Sequence, residues 1–381
     1  MRRWWAWAQW VVIPIAVRGM AETVVRSTVD RRPRWYGAAE QAVADGPVNA
    51  LFVGSSRVEA AVYVPAFEEE ASAMSRACVR ALNLGRGYST AAEHYLGLRN
   101  LFAAHPEHLS TTTVFVEMPL GPAGPSQWRG SWAHDEQPWM LVDLLRWHDL
   151  RAFGGSSGLA LGEKIHLTVR FVLRGVMATF NRRERIREEL LRRGIPWVLD
   201  VMRRRPLPEG NSPLATTRDL IGLETDIRRD PVSLRRARDL AIQVTGAWVG
   251  QDTPVHEWQE SIERDLVEMV ERQGGRVVFF KPPLSSVFTR LDRNPGRQKD
   301  LESFGEQAQR WGAAILTPHV EFTDEDFPDL WHADHQLALR FSRELARDWL
   351  RTLGTGALAG GATPSALDSA RAAGRSTCPP P

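Results

Sequence analysis

Five short apolar runs constrain this chain more than any other feature: 50–53 (ALFV), 79–84 (VRALNL), 112–118 (TTVFVEM), 276–281 (RVVFFK) and 313–316 (AAIL). Each is continuous rather than alternating, the pattern of strands covered on both faces. Helical periodicity lies between them, at 91–104 after the second run and at 257–273 before the fourth. A last amphipathic stretch, 337–352 (LALRFSRELARDWLRT), closes the domain. Strands alternating with helices predict an α/β fold with a parallel, doubly wound sheet. In such sheets ligands bind outside the carboxyl ends of the strands.

With 381 residues the chain can bury an ample core, and Lys+Arg 48 against Asp+Glu 46 leaves a net charge of +2 that calls for no nucleic acid. Its two cysteines, Cys78 and Cys378, make no disulfide framework and rule out a zinc site built on thiolates. Residues 1–25 form an apolar segment, MRRWWAWAQWVVIPIAVRG at its start, with Trp4, Trp5, Trp7 and Trp10 crowded together. The run is short of the ~20 residues that span a bilayer, and Pro14 interrupts it. It suits a signal-peptide core or an interfacial anchor, or else a buried helix packed on the domain. The first two readings place the protein at a membrane or in the cell envelope, with topology open; the third leaves it in the cytoplasm. Residues 26–353 are expected to be one α/β domain with a helical insertion at about 120–250, where the strand rhythm stops. That block is rich in arginine (KIHLTVRFVLRGVMATFNRRERIREELLRRG) and reads either as a solvated helix face laced with Glu–Arg pairs or as a face for an anionic membrane surface. The tail at 354–381 is small, polar and proline-ended, as disordered segments are.

Two motif matches fail on context. Gly154-Gly155-Ser156-Ser157-Gly158 imitates a nucleophile elbow, but a helical pattern rather than a strand precedes it. Gly354-Thr355-Gly356 imitates a dinucleotide fingerprint without a strand before it. The first strand, in contrast, opens directly onto Gly54-Ser55-Ser56-Arg57. A serine there is either a helix cap or a nucleophile projecting into the crevice. A nucleophile needs a base, and the base an orienting group. Asp329-Leu330-Trp331-His332 supplies both just before the final helix. The three-residue spacing lets the carboxylate hold one ring nitrogen while the other faces the serine. Ser285 and Ser286 are read as shaping the crevice rim, and His335 as a solvent-exposed or capping histidine.

With these blocks in order, the chain resembles the SGNH (GDSL-type) hydrolase superfamily, in a divergent branch that reads G-S-S-R. The resemblance makes Ser56 the nucleophile and puts Ser55 where the family has Asp. Ala81-Leu82-Asn83-Leu84-Gly85 resembles the second block, whose glycine N–H joins the oxyanion hole; Asn83, Gly85 and Arg57 are therefore expected at the oxyanion or substrate. Asp329 and His332 match the last block. The likeness covers roughly 48–118 and 274–352 and implies a flavodoxin-like five-stranded sheet. It also implies acyl-ester chemistry on an acyl ester or glycan substrate, with no metal and no cofactor.

One block departs. After the third strand the family carries G-x-N-D, whose asparagine serves the oxyanion, whereas this chain reads Val116-Glu117-Met118-Pro119-Leu120-Gly121. Losing one such donor costs about 10²–10³ in rate. Either Arg57 or a residue of the insertion substitutes, or the protein is slow. Glu117 would repel an oxyanion, and it reads as a paired structural acid ahead of a contact for a substrate hydroxyl. Two further readings stand beside a serine esterase or O-acyltransferase: a catalytically weak glycan-binding module, and a metal site at Asp329, His332, Asp334 and His335.

Overall fold

The computed structural model describes residues 34–86, 89–119, isolated positions between 144 and 169, 231–249, 256–259 and 261–353. The chain divides into two compact units, one drawn from 34–131 and 215–381, the other from 1–33 and 132–214. In the second, Leu161, Ile165 and Val169 are exposed. The apolar segment 1–25, the basic stretch of the insertion beyond Val169 and the tail lie outside the described residues. Among the described residues, no helix is long and apolar enough to cross a membrane.

The first unit holds a five-stranded, all-parallel sheet: β1 Ala50–Val53, β2 Ala81–Asn83, β3 Thr113–Glu117, β4 Arg276–Phe280 and β5 Ala314–Leu316. The spatial order is β2-β1-β3-β4-β5, one of the two common orders of doubly wound sheets. All five apolar runs become strands, and β1 is buried along its whole length. The second run is longer than its strand. Ser72 Oγ takes the N–H of Val79 and Asn49 Oδ1 takes that of Arg80, so the backbone joins the ladder only at Ala81.

Among the described residues, the helices of six residues or more are α1 Arg34–Ala44, α2 Ser56–Ala61, α3 Val64–Ser75, α4 Ala91–Ala104, α5 Pro231–Val249, α6 Ile262–Arg272, α7 Pro295–Arg310 and α8 His335–Leu353. Helix α4 begins at a reciprocal capping box between Thr90 and Glu93. Helix α6 starts later than its periodicity suggests. Ser261 caps it through the N–H of Arg264, while His256 and Trp258 ahead of it are tied to the buried Asp300. Asp334 Oδ1 accepts the N–H of Leu337 at 2.8 Å and so caps α8.

One sheet face carries Phe52, Phe115 and Phe280 against α3 and α8. Phe52 stacks on Phe115 at 4.6 Å, and Phe67 of α3 stacks on Trp349 of α8 at 5.4 Å. On the other face Phe279 meets Phe304 of α7 at 4.9 Å, and α6 packs on α4 and β4. Fully burying rings of this size contributes roughly 2–3 kcal/mol each. The two faces together fix β1 beside β3, where the strand order reverses, the position at which sheets of this kind bind ligands outside the carboxyl ends of their strands.

Candidate active site

Strand β1 ends at Val53, and the chain turns at Gly54 because nothing larger fits. A Cβ there would lie 2.3 Å from Val58 Cγ2 and 2.7 Å from Glu117 Oε2. Ser55 follows as the cap of α2, its Oγ accepting the N–H of Arg57 at 3.3 Å. Ser56 is then the first residue of the helix, just beyond the carboxyl end of β1.

The second half of the site comes from the turn before α8. Asp329 is 8% exposed. Its Oδ1 accepts the N–H groups of Trp331 and His332 at 2.9 and 2.8 Å, so the carboxylate organises the turn that carries the imidazole. Its Oδ2 lies 2.6 Å from His332 Nδ1, and His332 Nε2 lies 2.9 Å from Ser56 Oγ. A carboxylate only accepts, so the Nδ1–H donates to Asp329 and Nε2 is left to accept from the serine hydroxyl. Burial works to raise the Asp329 carboxyl. The hydrogen bond and charge of His332, with the two backbone N–H groups, outweigh burial and hold it below the usual aspartate value. Asp329 is thus the ionised anchor, and the sequence separation of 276 between Ser56 and His332 is bridged in one contact.

Two braces behind this turn were not legible in sequence. Leu330 adopts φ 66°, a left-handed conformation that costs a branched residue energy. Its carbonyl accepts from Ser285 Oγ at 2.8 Å, and Ser285 is fully buried. Arg238 Nε of α5 donates to the Pro328 carbonyl at 2.9 Å, tying the end of the expected insertion to the same turn. Ser285 therefore supports the turn that carries His332 rather than a crevice rim, while Ser286 pairs with Asp324.

The three residues expected at the oxyanion are turned to the chain itself. Asn83 Nδ2 donates to the carbonyls of Val58 and Val62 at 3.1 and 3.0 Å, closing the end of α2 onto β2. Gly85 N–H donates to Asn83 Oδ1 at 2.9 Å. The Gly85 Cα sits where a Cβ would come 2.6 Å from the backbone nitrogen of Glu59, so close packing on α2 accounts for this glycine. Arg57 pairs with Glu117, and both side chains are nearly buried. Glu117 is the paired acid its position suggested. The metal reading meets a different geometry: Asp334 is spent as a helix cap and His335 packs edge-on against Tyr63 at 4.8 Å. Among the described residues, no three His, Cys, Asp or Glu side chains are grouped so as to hold a metal ion.

Behind Gly54 lies a second polar group. The Gly54 carbonyl accepts from the N–H of Arg86 at 3.0 Å and from Ser89 Oγ at 2.7 Å, and Ser89 Oγ is 2.9 Å from His94 Nε2. Burial, helped by the charge of Arg86, lowers the His94 pKa to about 4 and keeps the ring neutral.

No protein-family model matches the chain, and no curated protein matches it significantly.

Proposed function

We propose that this protein is an SGNH-type serine esterase, or an O-acyltransferase or deacylase, that works through an acyl-serine intermediate. The observation that carries the reading is the unbroken line from Ser56 Oγ through His332 to Asp329, at 2.9 and 2.6 Å. The order of the sequence blocks and the 2-1-3-4-5 strand order, which is the flavodoxin-like one, support it as well. In this reading His332 Nε2 takes the Ser56 proton as Oγ attacks the ester carbonyl carbon, and Asp329 holds the imidazolium in place. The tetrahedral oxyanion collapses, the C–O bond to the leaving alcohol breaks, and that oxygen takes the proton back from His332. Water or an acceptor hydroxyl then gives its proton to His332 and attacks the acyl-serine, which returns Ser56–OH and releases the acid or the transferred ester. The Ser56 N–H is the oxyanion donor assigned within the nucleophile turn. Envelope glycans or lipids fit as substrates if residues 1–25 hold the protein at a membrane or direct its export.

The experiment is labelling with a serine-reactive fluorophosphonate followed by peptide mapping, alongside hydrolysis of an aryl acetate. Label on the peptide carrying Gly54–Arg57, and hydrolysis lowered at least about 10⁴-fold in Ser56→Ala, is the expected result. Equal rates in the two proteins remove Ser56 from the chemistry.

A second reading, a catalytically weak glycan-binding module, draws on one observation: Gly85 and Arg57 spend their donors on Asn83 and Glu117. A protein that binds a glycan ester yet hydrolyses it no faster than Ser56→Ala would favour it.

A further inference from the structure

Where the Ser56 hydroxyl sits depends on the peptide planes just before it, because Ser56 opens a helix of only six residues. The Gly54–Ser55 peptide is gripped at both ends. Its carbonyl faces Arg86 N–H and Ser89 Oγ, as described above. Its N–H donates to Glu117 Oε2 at 2.6 Å. The other carboxylate oxygen, Glu117 Oε1, accepts from Ser55 Oγ at 3.2 Å and also pairs with the Arg57 guanidinium. Arg57 closes the loop, its Nε lying 3.4 Å from Ser55 Oγ.

Register explains why Glu117 is the residue that does this. Val53 pairs with Val116 across β1 and β3, so Glu117 follows beside the turn at Gly54. The missing Cβ of Gly54 leaves room for the carboxylate. The Glu117 and Arg57 side chains are 8% and 11% exposed. A carboxylate this enclosed needs a local counter-ion and full hydrogen bonding, and Arg57 with Ser55 supplies both. Neither charge is left over for a substrate.

We infer that Glu117 is a positioning residue for the nucleophile: it fixes the plane of the Gly54–Ser55 peptide and thereby holds the Ser56 hydroxyl on His332 Nε2. The inference rests on the serine-hydrolase reading for its catalytic consequence, but not for its geometry. Glu117 acts through Ser55, and Arg57 is its counter-ion inside the turn. The position where the resemblance expects an oxyanion asparagine nearby thus carries a different function, support of the nucleophile from behind.

The test compares wild type, E117A, E117D and the double variant E117Q/R57M. The double variant keeps a neutral acceptor for the Ser55 N–H and strands no cation. In E117A the kcat for an aryl acetate and the rate of fluorophosphonate labelling at Ser56 are expected to fall about 10²-fold, the usual cost of a misplaced reacting group, with KM nearly unchanged. E117Q/R57M is expected to recover to within about tenfold of wild type, since the acceptor is restored. Unchanged kcat per folded molecule with only a lower melting temperature would reduce Glu117 to a fold-stabilising acid, and a raised KM with unchanged kcat would make it a substrate contact; either overturns the inference. If E117A does not fold, E117D and the double variant decide by the same criteria. A crystal structure of E117D or E117A gives a readout free of catalysis. Opening of the Ser56 Oγ–His332 Nε2 separation beyond about 3.2 Å supports the inference, and retention of 2.9 Å overturns it. Wild type inert to both reagents would end the hydrolase reading, and that separation would still judge the role of Glu117.

Discussion

The two turns that meet at Ser56 are built on opposite plans. At 329–332 one carboxylate organises its own neighbourhood: Asp329 takes two backbone N–H groups and the imidazole, all within three residues. At 54–57 only the contacts between Ser55 and Arg57 are local. The turn is held from β3 by Glu117, from the segment after β2 by Arg86 and Ser89, and from the end of β2 by Asn83 through α2. A base can be oriented by local sequence, whereas a nucleophile turn is positioned by the sheet. Damage to the first is therefore expected to be chemical and sharp, and damage to the second is expected to appear in stability as well as rate.

Asp329→Asn breaks the contrast most severely. It keeps the shape of the turn but lets the imidazole take the wrong tautomer, so aryl acetate hydrolysis is expected to fall about 10³-fold, with melting changed far less. A loss smaller than tenfold would mean that His332 is oriented by something else.

On the nucleophile side the largest expected effect is a pH dependence of stability carried by His94. Its pKa is about 4 in the fold against the ordinary histidine value of 6.5. The unfolded chain therefore binds the extra proton first as pH falls. The stabilising contribution is whole above pH 6.5 and is lost progressively down to about pH 4, amounting to roughly 3 kcal/mol at most. Denaturant midpoints measured between these two pH values should decline in wild type and decline less in His94→Gln, with an identical slope in the two proteins counting against the buried neutral ring. Asp329 adds in the same sense at lower pH. Its depressed pKa contributes stability above 3.8, and that contribution is lost as pH falls through the folded value.

Asn83→Ala gives the smallest effect and the finest discrimination. It takes the side-chain partner from the Val62 carbonyl and the Gly85 N–H, while the Val58 carbonyl keeps the N–H of Val62. The cost is about 1–3 kcal/mol in unfolding free energy, and hydrolysis per folded molecule stays within a few-fold. A large drop in kcat with little change in stability would return Asn83 to the oxyanion.

The contrast also explains what could be read from the sequence. The five strands were legible because covering both faces of a sheet demands unbroken apolar runs. The Asp329–His332 pair was legible because three residues of separation suffice for its contact. The Ser56–His332 meeting followed from topology, as both follow strands or precede the closing helix at one rim. The remaining partners had no such signature. Ser285 touches Leu330 across 45 residues, and Glu117 touches Ser55 across 62. Which polar side chain a buried N–H or carbonyl finds at that range is decided by register and by gaps such as the one at Gly54. Asn83, Gly85 and Arg57 show the converse. Their place in a motif suggested outward-facing donors, but groups inside the fold claimed them first: the Val58 and Val62 carbonyls took Asn83, Asn83 Oδ1 took the Gly85 N–H, and Glu117 took Arg57.

The 276-residue separation of hydroxyl and imidazole has a consequence for biosynthesis. At the usual pace of about 5–20 residues per second, the ribosome needs on the order of tens of seconds to travel from Ser56 to His332. Throughout that interval the nascent chain carries a serine with no base. The imidazole can be seated only after α8, whose Trp349 plugs the centre of the core, has cleared the exit tunnel. Emergence of α8 is thus the event that lets the hydroxyl and the imidazole meet.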